Sequence, residues 1–362
     1  RFLHALNYCM LLPGPEAQQL ATYIGWLLHK TWGGLVAGLL FILPGFVLMT
    51  LIAIAYVLYS DLSWMQGLLF GMQAATLAIV LEAVIRVGRK ALKHRALYAL
   101  AALAFIAIFA FGVPFPLIVL SAALMGLAGA HWFPQIFLPA ARNGQHEPEE
   151  PVPDHAHPRA GWTLRVLMSG VLLWGLPVLL LFLTLGAQHV YTQEAVFFSK
   201  MAVVTFGGAY AVLAYMTQQA VDRYGWLLPG EMVQGLALAE TTPGPLILVL
   251  TYVGFLAAHR DPGSLDPLLA GVLGGTLSTW VTFVPCFLWI FLGAPYIERL
   301  RGNRWVTAAL TGITAAVVGV ILNLSIWFAL HVLFAEVRSW GGYGLRLPMP
   351  QLDSLHPAAL LL

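Results

Sequence analysis

The tripeptide Pro-Gly-Pro occurs twice in this chain, at residues 13–15 and 243–245, each time inside a long apolar stretch. Proline lacks an amide donor and breaks a helix, which a membrane tolerates only where the irregular backbone faces protein or a water-filled cavity. We therefore expect a discontinuous helix at each tripeptide, although an ordinary proline kink is the alternative interpretation. Pro15 and Pro245 should each begin a half-helix whose free N–H groups and positive dipole end suit an anion.

Polar residues flank both tripeptides within the apolar stretches. A carboxylate inside a membrane is costly, so it is by default a candidate for function. Amide and hydroxyl groups beside it would complete a polar site. The residues are Glu16, Gln18 and Gln19 after the first tripeptide, and Glu240, Thr241 and Thr242 before the second.

Glu240 stands on the second predicted break, three residues before Pro243. Beside a dianion it would have to be protonated, which suggests a proton carrier; ionised, it would instead pair with Lys200 and gate access. A protonated structural hydrogen bond to a neighbouring helix is the alternative. Glu82 lies near a predicted span end, close to Arg86, and a structural or interfacial role is favoured for it.

A third polar segment precedes the second tripeptide. Lys200 could supply positive charge to an anion pathway, or it could extend its side chain to the membrane surface. The paired glycines nearby permit close helix approach or a second local break. The candidate binding residues are therefore Pro13, Gly14, Pro15, Glu16, Gln18, Gln19, Lys200, Thr205, Gly207, Gly208, Glu240, Thr241, Thr242, Pro243, Gly244 and Pro245.

No catalytic, cofactor or metal motif accompanies these residues. The zinc-protease, serine-hydrolase and nucleotide-binding patterns are missing, so an enzyme is not expected and energy should come from an ion gradient or the membrane potential. Cys9 and Cys286 lie in separate apolar segments and are interpreted as packing residues. His146, His155 and His157 lie in a proline-rich acidic stretch, where a solvated tether is favoured over a metal site.

The two tripeptides belong to a longer internal repeat. Matching residues follow each of them at similar distances. The pairs are Tyr23-Ile24-Gly25 with Tyr252-Val253-Gly254, His29 with His259, Pro44 with Pro285, and Gly71-Met72-Gln73-Ala74-Ala75 with Gly312-Ile313-Thr314-Ala315-Ala316. The span at 64–85 has its basic cluster at its C-terminal end, whereas its counterpart at 304–334 has one at its N-terminal end. The two halves should therefore have inverted topology, as in many secondary transporters.

Composition requires these elements to be membrane helices. Hydrophobic residues make up 60% of the 362 residues and charged residues 9%, with a net charge of +2, which excludes a soluble globular surface and makes nucleic acid an unlikely partner. The apolar blocks are long enough for helices that cross a bilayer. The sequence predicts an all-α polytopic protein with ten spans, at 5–28, 32–59, 64–85, 96–112, 114–133, 164–187, 195–219, 230–258, 268–295 and 304–334.

The predicted organisation is two transporter halves joined by a linker. Residues 1–138 form the first half, 139–161 a proline-rich acidic linker and 162–362 the second half. Basic loops mark the cytoplasmic side, which fixes the predicted side of each connection. Residues 86–95, the linker, Asp222 and Arg299 are predicted inside, and His189 and Arg260 outside.

Four segments carry a family resemblance: Leu12-Pro13-Gly14-Pro15-Glu16-Ala17-Gln18-Gln19, Leu43-Pro44-Gly45-Phe46, Thr205-Phe206-Gly207-Gly208-Ala209-Tyr210 and Ala239-Glu240-Thr241-Thr242-Pro243-Gly244-Pro245. They resemble the characteristic segments of the chromate ion transporter family over nearly the whole chain. The resemblance implies a two-domain protein of the bacterial inner membrane that exports chromate and confers resistance. It also implies a first-half counterpart of Thr205-Phe206-Gly207-Gly208 upstream of Arg1 and a further C-terminal apolar segment, so both ends are expected to be truncated.

Export of a tetrahedral oxyanion by alternating access is thus the leading hypothesis. A transporter of sulfate or another small anion with the same fold is the closest alternative, because these dianions have similar size and charge. A passive channel is a third possibility. The lipid bilayer is the other expected partner, no cofactor is expected, and a homodimer is compatible with this interpretation.

Overall fold

A computed structural model of the chain describes residue 9 and residues 12–138, 160–204, 209–296, 304–342 and 345–355. The described part is predominantly helical. The helices are α1 (Glu16–Tyr59), α2 (Ser63–Ala91), α3 (Arg95–Phe111), α4 (Phe115–Trp132), α5 (Pro134–Phe137), α6 (Ala160–Leu185), α7 (Val190–Val204), α8 (Ala209–Thr217), α9 (Pro229–Thr241), α10 (Val249–Arg260), α11 (Pro267–Gly293) and α12 (Arg304–Leu333).

Six of these helices are long and apolar enough to cross a membrane: α1, α2, α4, α6, α11 and α12. Their apolar side chains are extensively exposed, above all along α6, as expected of surfaces that face lipid. This confirms the prediction of an all-helical membrane architecture in its main part. The number of ten spans is not confirmed, because several predicted spans have a different course in the described part of the chain.

The helix α1 consists of two helices that turn back on each other. His29 and Lys30 leave the helical conformation, and Lys30 has a φ of 56°. Residues 16–28 and 31–59 therefore form a hairpin, α1a and α1b. Gly25 and Gly33 touch where the two cross: a Cβ on Gly25 would lie 2.3 Å from the carbonyl oxygen of Gly33. Only glycine permits this approach.

The helices α10 and α11 form a second hairpin of the same kind. Asp266 caps α11, where its Oδ1 accepts hydrogen bonds from the amides of Leu268 and Leu269. A Cβ on Gly274 would lie 2.4 Å from the carbonyl oxygen of Gly254. Gly25 and Gly254 are matching positions of the internal repeat, so the repeat extends to the contact that closes each hairpin.

The predicted spans at 195–219 and 230–258 are wrong as single crossings. Their helices are short: α9 has 13 residues and α10 has 12, about 20 Å and 18 Å, less than the ~30 Å of a hydrocarbon core. Glu231 at the start of α9 forms an ion pair with Arg260 at the end of α10. The chain therefore enters and returns on one side, with the second Pro-Gly-Pro at the turn.

The helices α7 and α8 also begin and end near one another. Phe197 on α7 packs against Tyr215 on α8 and against Trp226 beyond it, with ring centroids 5.6 and 5.7 Å apart. The Nη1 of Arg260 donates to the carbonyl oxygen of Trp226 at 2.6 Å. The connection that contains Asp222 thus lies with Arg260, and its predicted place on the opposite side of the membrane is wrong. The error came from counting 195–219 as one crossing.

The helix α12 is enclosed by the helices of the first half. Close backbone approaches at small residues hold it there: a Cβ on Gly312 would lie 2.3 Å from the oxygen of Ala122 on α4, and one on Gly319 would lie 2.0 Å from the oxygen of Ala101 on α3. Such contacts are the usual way of packing helices in lipid, where apolar burial alone does not bring helices together.

An antiparallel β-hairpin follows α12 and was not predicted. Its strands are β1 (Val337–Gly342) and β2 (Leu345–Pro350), with Val337 paired to Pro350 and Gly342 to Leu345. The strand β2 packs on α3. The predicted start of a further span at 356–362 lies outside the described residues.

Candidate functional site

Both Pro-Gly-Pro segments break the helix, as predicted, and with the same backbone geometry. Gly14 has a φ of 124° and Gly244 one of 126°, a region that residues with a side chain rarely adopt. Helix α1a begins at Glu16, and a short 3₁₀ turn that leads into α10 begins at Leu246. Pro15 and Pro245 precede those residues in extended conformation, so each proline occupies the cap position and not the first helical position.

Each break packs against a proline-containing helix of the other half. A Cβ on Gly14 would lie 2.7 Å from the Sγ of Cys286, which follows Pro285 on α11. A Cβ on Gly244 would lie 3.5 Å from the Cα of Gly45, which follows Pro44 on α1b. The contact is reciprocal, because Pro44 and Pro285 are themselves matching positions of the repeat.

The two proline-containing helices also pack against each other. Gly34 on α1b lies against the ring of Phe291 on α11, and Gly38 lies against the ring of Phe287. Because the residue number falls on α11 as it rises on α1b, the helices are antiparallel. Both breaks are therefore attached to one helix pair at the interface between the sequence halves.

The first break is surrounded by buried amides. The side chains of Gln18 and Gln19 are completely buried. The Nε2 of Gln19 donates to the carbonyl oxygen of Pro13 at 2.7 Å, and the Nε2 of Gln18 donates to the Oγ1 of Thr22 at 3.0 Å. Within the described residues, neither Oε1 has a hydrogen-bond partner. Gln19 thus satisfies the carbonyl that the break leaves free, and Glu16 lies half-buried beside it.

The second break is open. Thr241, Pro243 and Gly244 are exposed. The hydroxyl of Thr241 donates to the carbonyl oxygen of Leu238, and that of Thr242 donates to the carbonyl oxygen of Ala239, so both close the last turn of α9. The break itself is therefore not covered by other described residues.

Glu240 is half-buried beside the second break, and its partner is a tyrosine. The hydroxyl of Tyr210 on α8 donates to its Oε1 at 2.8 Å. The sequence suggested Lys200 as a partner, but the side chain of Lys200 is exposed and the structure describes no ion pair between the two. Glu240 therefore links α8 to the end of α9.

Three predicted site residues, Thr205, Gly207 and Gly208, lie outside the described residues. The histidines of the linker do so as well. Among the residues that the structure describes, no group of three or more histidine, cysteine, aspartate or glutamate side chains could hold a metal ion. Cys9 and Cys286 are buried free thiols.

Sequence reasoning missed two kinds of residue around the breaks. Tyr210 was quoted only for the family resemblance, although it is the partner of Glu240. The basic residues on α2 were used only for orientation, yet the charge of Arg86 acts on Glu240 and that of Lys90 acts on Glu16. Their spacing of four residues places them on one face of α2, a signal that was available in the sequence.

The sequence matches the family described as chromate transporter over residues 1–127 and 192–355. The chromate transport protein of Pseudomonas aeruginosa is 31% identical over 327 residues, which cover 89% of this chain and 70% of that protein. That of Cupriavidus metallidurans is 26% identical over 328 residues, 91% of the chain and 72% of the relative. The probable chromate transport protein of Synechococcus elongatus is 26% identical over 365 residues, which cover 96% of this chain and 82% of that protein. No solved structure matches the chain significantly.

Proposed function

The chain belongs to the chromate transporter family and is a membrane transporter, and we propose that it exports chromate by alternating access of two inverted halves. The resemblance drawn from the four sequence segments is thereby confirmed. Chromate as substrate, outward direction and the mechanism are the proposal. Its relatives are named as transport proteins, which agrees with the prediction that the protein is a transporter and not an enzyme.

The reciprocal packing of the two breaks carries the proposal. The matching glycines have the same φ, and each lies against the residue that follows the matching proline of the other half. Two broken helices related by an internal repeat, with free amides at the break, are what an alternating-access site for an anion requires. We propose that the substrate binds between the breaks, close to the bilayer midplane.

The course of the helices supports the proposed inverted orientation. Helix α1a ends just before His29, and α10 ends at Arg260, next to His259, which is the residue that matches His29 in the repeat. If α2, α3, α4, α6 and α1b each cross once, five crossings separate the two ends, and an odd number puts them on opposite sides. The linker 139–161 joins the halves 1–138 and 162–362 in this proposal.

Residues 86–95, the linker and residues 299–304 then share the cytoplasmic side, in keeping with the positive-inside rule. Labelling of single cysteines by a membrane-impermeant reagent tests this. Cysteines at residues 189 and 260 should react from the periplasm and one at residue 93 should not, and the reverse pattern contradicts the proposed orientation. The bacterial inner membrane is the proposed location.

The residues proposed to contact substrate are those of the two breaks. The amides after Pro15 and Pro245 would bind the oxyanion, the buried side chains of Gln18 and Gln19 would close one side, and Thr241 and Thr242 would face it from the other. Arg86 and Lys90 would balance its charge. Glu240, hydrogen-bonded to Tyr210, would compete with the anion for that positive charge and so favour its release.

Transport of radiolabelled chromate into everted membrane vesicles tests the function. Vesicles with the full chain should accumulate chromate, and unlabelled chromate should compete more effectively than sulfate. Stronger competition and uptake with sulfate would assign the protein to sulfate. Equal, non-saturating flux of both anions without counter-flow would indicate a passive channel and contradict alternating access.

A further inference from the structure

A second buried carboxyl lies apart from both breaks. Glu194 on α7 has a relative exposure of 0%. Its Oε2 is 3.5 Å from the Oγ of Ser278 on α11, and its Oε1 has no hydrogen-bond partner in the part of the chain that the structure describes. The Ser278 hydroxyl is only 2.7 Å from the carbonyl oxygen of Gly274, to which it donates. The hydroxyl proton is thus already donated to Gly274, and the carboxyl of Glu194 receives at most a weak hydrogen bond from Ser278.

Among the described residues, no counter-charge faces this carboxyl from the helices packed around it. Helix α11 contains no charged residue, and the only one on α6 is Arg165, near the start of that helix. Helix α7 meets α6 near its other end, where the hydroxyl of Thr192 donates to the carbonyl oxygen of Leu181. On α10 the charged group is Arg260, which pairs with Glu231. The other titratable groups on or next to these helices are Tyr191 and Lys200 on α7, Tyr252 and His259 on α10, Cys286 on α11, and Asp261 and Asp266 between α10 and α11.

A buried carboxylate without a cation or donors costs several kcal/mol, so Glu194 is stable there only as the neutral acid. Tyr191, one turn earlier, does not change this, because its hydroxyl donates to the carbonyl oxygen of Ala270. The neutral form fits the apolar contact between α7 and α11. The ionised form does not.

A water-accessible cavity reaches the residues beside Glu194. It has a volume of about 290 Å³, and its walls include Val190, Gln193, Ala257, Arg260 and Asp261. Gln193 precedes Glu194 directly, and Val190 lies one helical turn before it. The cavity therefore borders the turn of α7 that carries Glu194.

The carboxyl also lies against the closing contact of the α10–α11 hairpin. A Cβ on Gly274 would lie 3.2 Å from Oε2 of Glu194 and 2.4 Å from the carbonyl oxygen of Gly254. The contact is therefore tightly packed. Ionisation of Glu194 would require water to enter between α7 and the hairpin that carries the second break.

We propose that Glu194 is a proton-binding site that couples anion transport to the transmembrane proton gradient. A proton from water in the cavity binds the carboxylate, and the neutral acid lets α7 pack on α11. Loss of the proton admits water and loosens the hairpin, which moves the second break. This inference rests on the proposed transport function, but proton binding itself can be measured without transport.

The first test is infrared difference spectroscopy of the purified full chain during a change of pH. The wild type should show a C=O stretching band of a buried protonated carboxyl, and Glu194→Gln should lack it. The matched control is Glu336→Gln, which removes an exposed carboxyl and should keep the band. A band that persists in Glu194→Gln overturns the proposal, whether or not the protein transports chromate.

The second test separates exchange from proton coupling in proteoliposomes. Glu194→Gln retains the shape of the neutral acid, so it should still exchange labelled for unlabelled chromate but lose the stimulation of net flux by a pH gradient. Glu194→Asp, whose carboxyl still titrates, should keep part of that stimulation. A wild-type protein without flux refutes the transport function alone. Two results for Glu194→Gln would overturn the coupling role. One is a response to the pH gradient as large as that of the wild type, and the other is a loss of exchange along with the loss of that response.

Discussion

At the first Pro-Gly-Pro break Gly14, Gln18 and Gln19 are buried, whereas at the second break Thr241, Pro243 and Gly244 are exposed. The backbone is nearly identical, with φ values of 124° and 126° at the two glycines. The difference lies in what surrounds it: amides at one break, and the carboxyl of Glu240 with Tyr210 at the other. Two helix breaks of similar backbone geometry are thus present in one conformation, one buried and the other exposed. This is the asymmetry expected of a transporter that opens to one side at a time.

The largest effect should come from a methyl group added to the two glycines. Gly14→Ala combines a φ that alanine resists with a contact of 2.7 Å to Cys286, and we expect a loss of stability of about 2–5 kcal/mol and of most transport. Gly244→Ala has the same φ but nothing nearer than 3.3 Å, so about 1–3 kcal/mol is expected. Thermal unfolding in detergent and chromate flux measure both.

Cys286→Ala provides the control for this comparison. It removes the Sγ that crowds Gly14, so the double variant Gly14→Ala/Cys286→Ala should recover part of the lost stability. Gly244→Ala should gain nothing from the same change, since Cys286 does not contact it. Equal losses in the two single variants would mean that packing does not distinguish the breaks.

A smaller but specific effect is expected at Glu240. Glu240→Gln keeps the shape but removes the charged acceptor of the Tyr210 hydroxyl, and a hydrogen bond to a charged group contributes about 1.5–3 kcal/mol, so flux should fall about tenfold or more. Glu82→Gln, the matched control on the exposed face of α2, should change flux less than about twofold. Chromate uptake by everted vesicles at equal expression, measured over a pH series, decides between them.

If Glu240→Gln retains full activity and the wild-type pH profile, the carboxyl has no part in transport. Tyr210→Phe sharpens the interpretation, because it leaves the carboxylate in place without its donor. A loss in Glu240→Gln that is absent in Tyr210→Phe would assign the effect to the charge and not to the hydrogen bond.

The smallest difference is expected from the polar side chains that close each break. Gln19→Leu removes the donor to the carbonyl oxygen of Pro13 and leaves that oxygen buried and unpaired, which should cost about 1–3 kcal/mol. Thr242→Val removes a hydroxyl that closes its own helix turn and otherwise makes only a weak contact with the Sδ of Met49 at 3.6 Å, so about 1 kcal/mol or less is expected. Urea unfolding in mixed micelles compares the two. A larger loss of stability in Thr242→Val than in Gln19→Leu would contradict the conclusion that the first Pro-Gly-Pro break is the closed one.

The family, the helical class, both breaks and the repeat could be predicted from the sequence because they depend on local properties. Proline breaks a helix wherever it stands, and glycine is required where φ is positive. The pairing of Gly25 with Gly33, and of Gly254 with Gly274, was not foreseen, but the repeat already marked one member of each pair. Glu194 was overlooked, because nothing in its neighbours signals that it is buried.

What the sequence could not determine is the direction of the chain after a break. Residues 230–258 have the same apolar composition whether they continue across the bilayer or return, because hydropathy sums the character of residues and carries no information on direction. Only the ion pair of Glu231 with Arg260 and the packing of Gly244 against Gly45 decide that the chain returns. The sequence by itself determined where the helices break and that they lie in a membrane. The tertiary structure decided which breaks turn back, which one is open and which carboxyl is enclosed, since these depend on contacts between residues far apart in the chain.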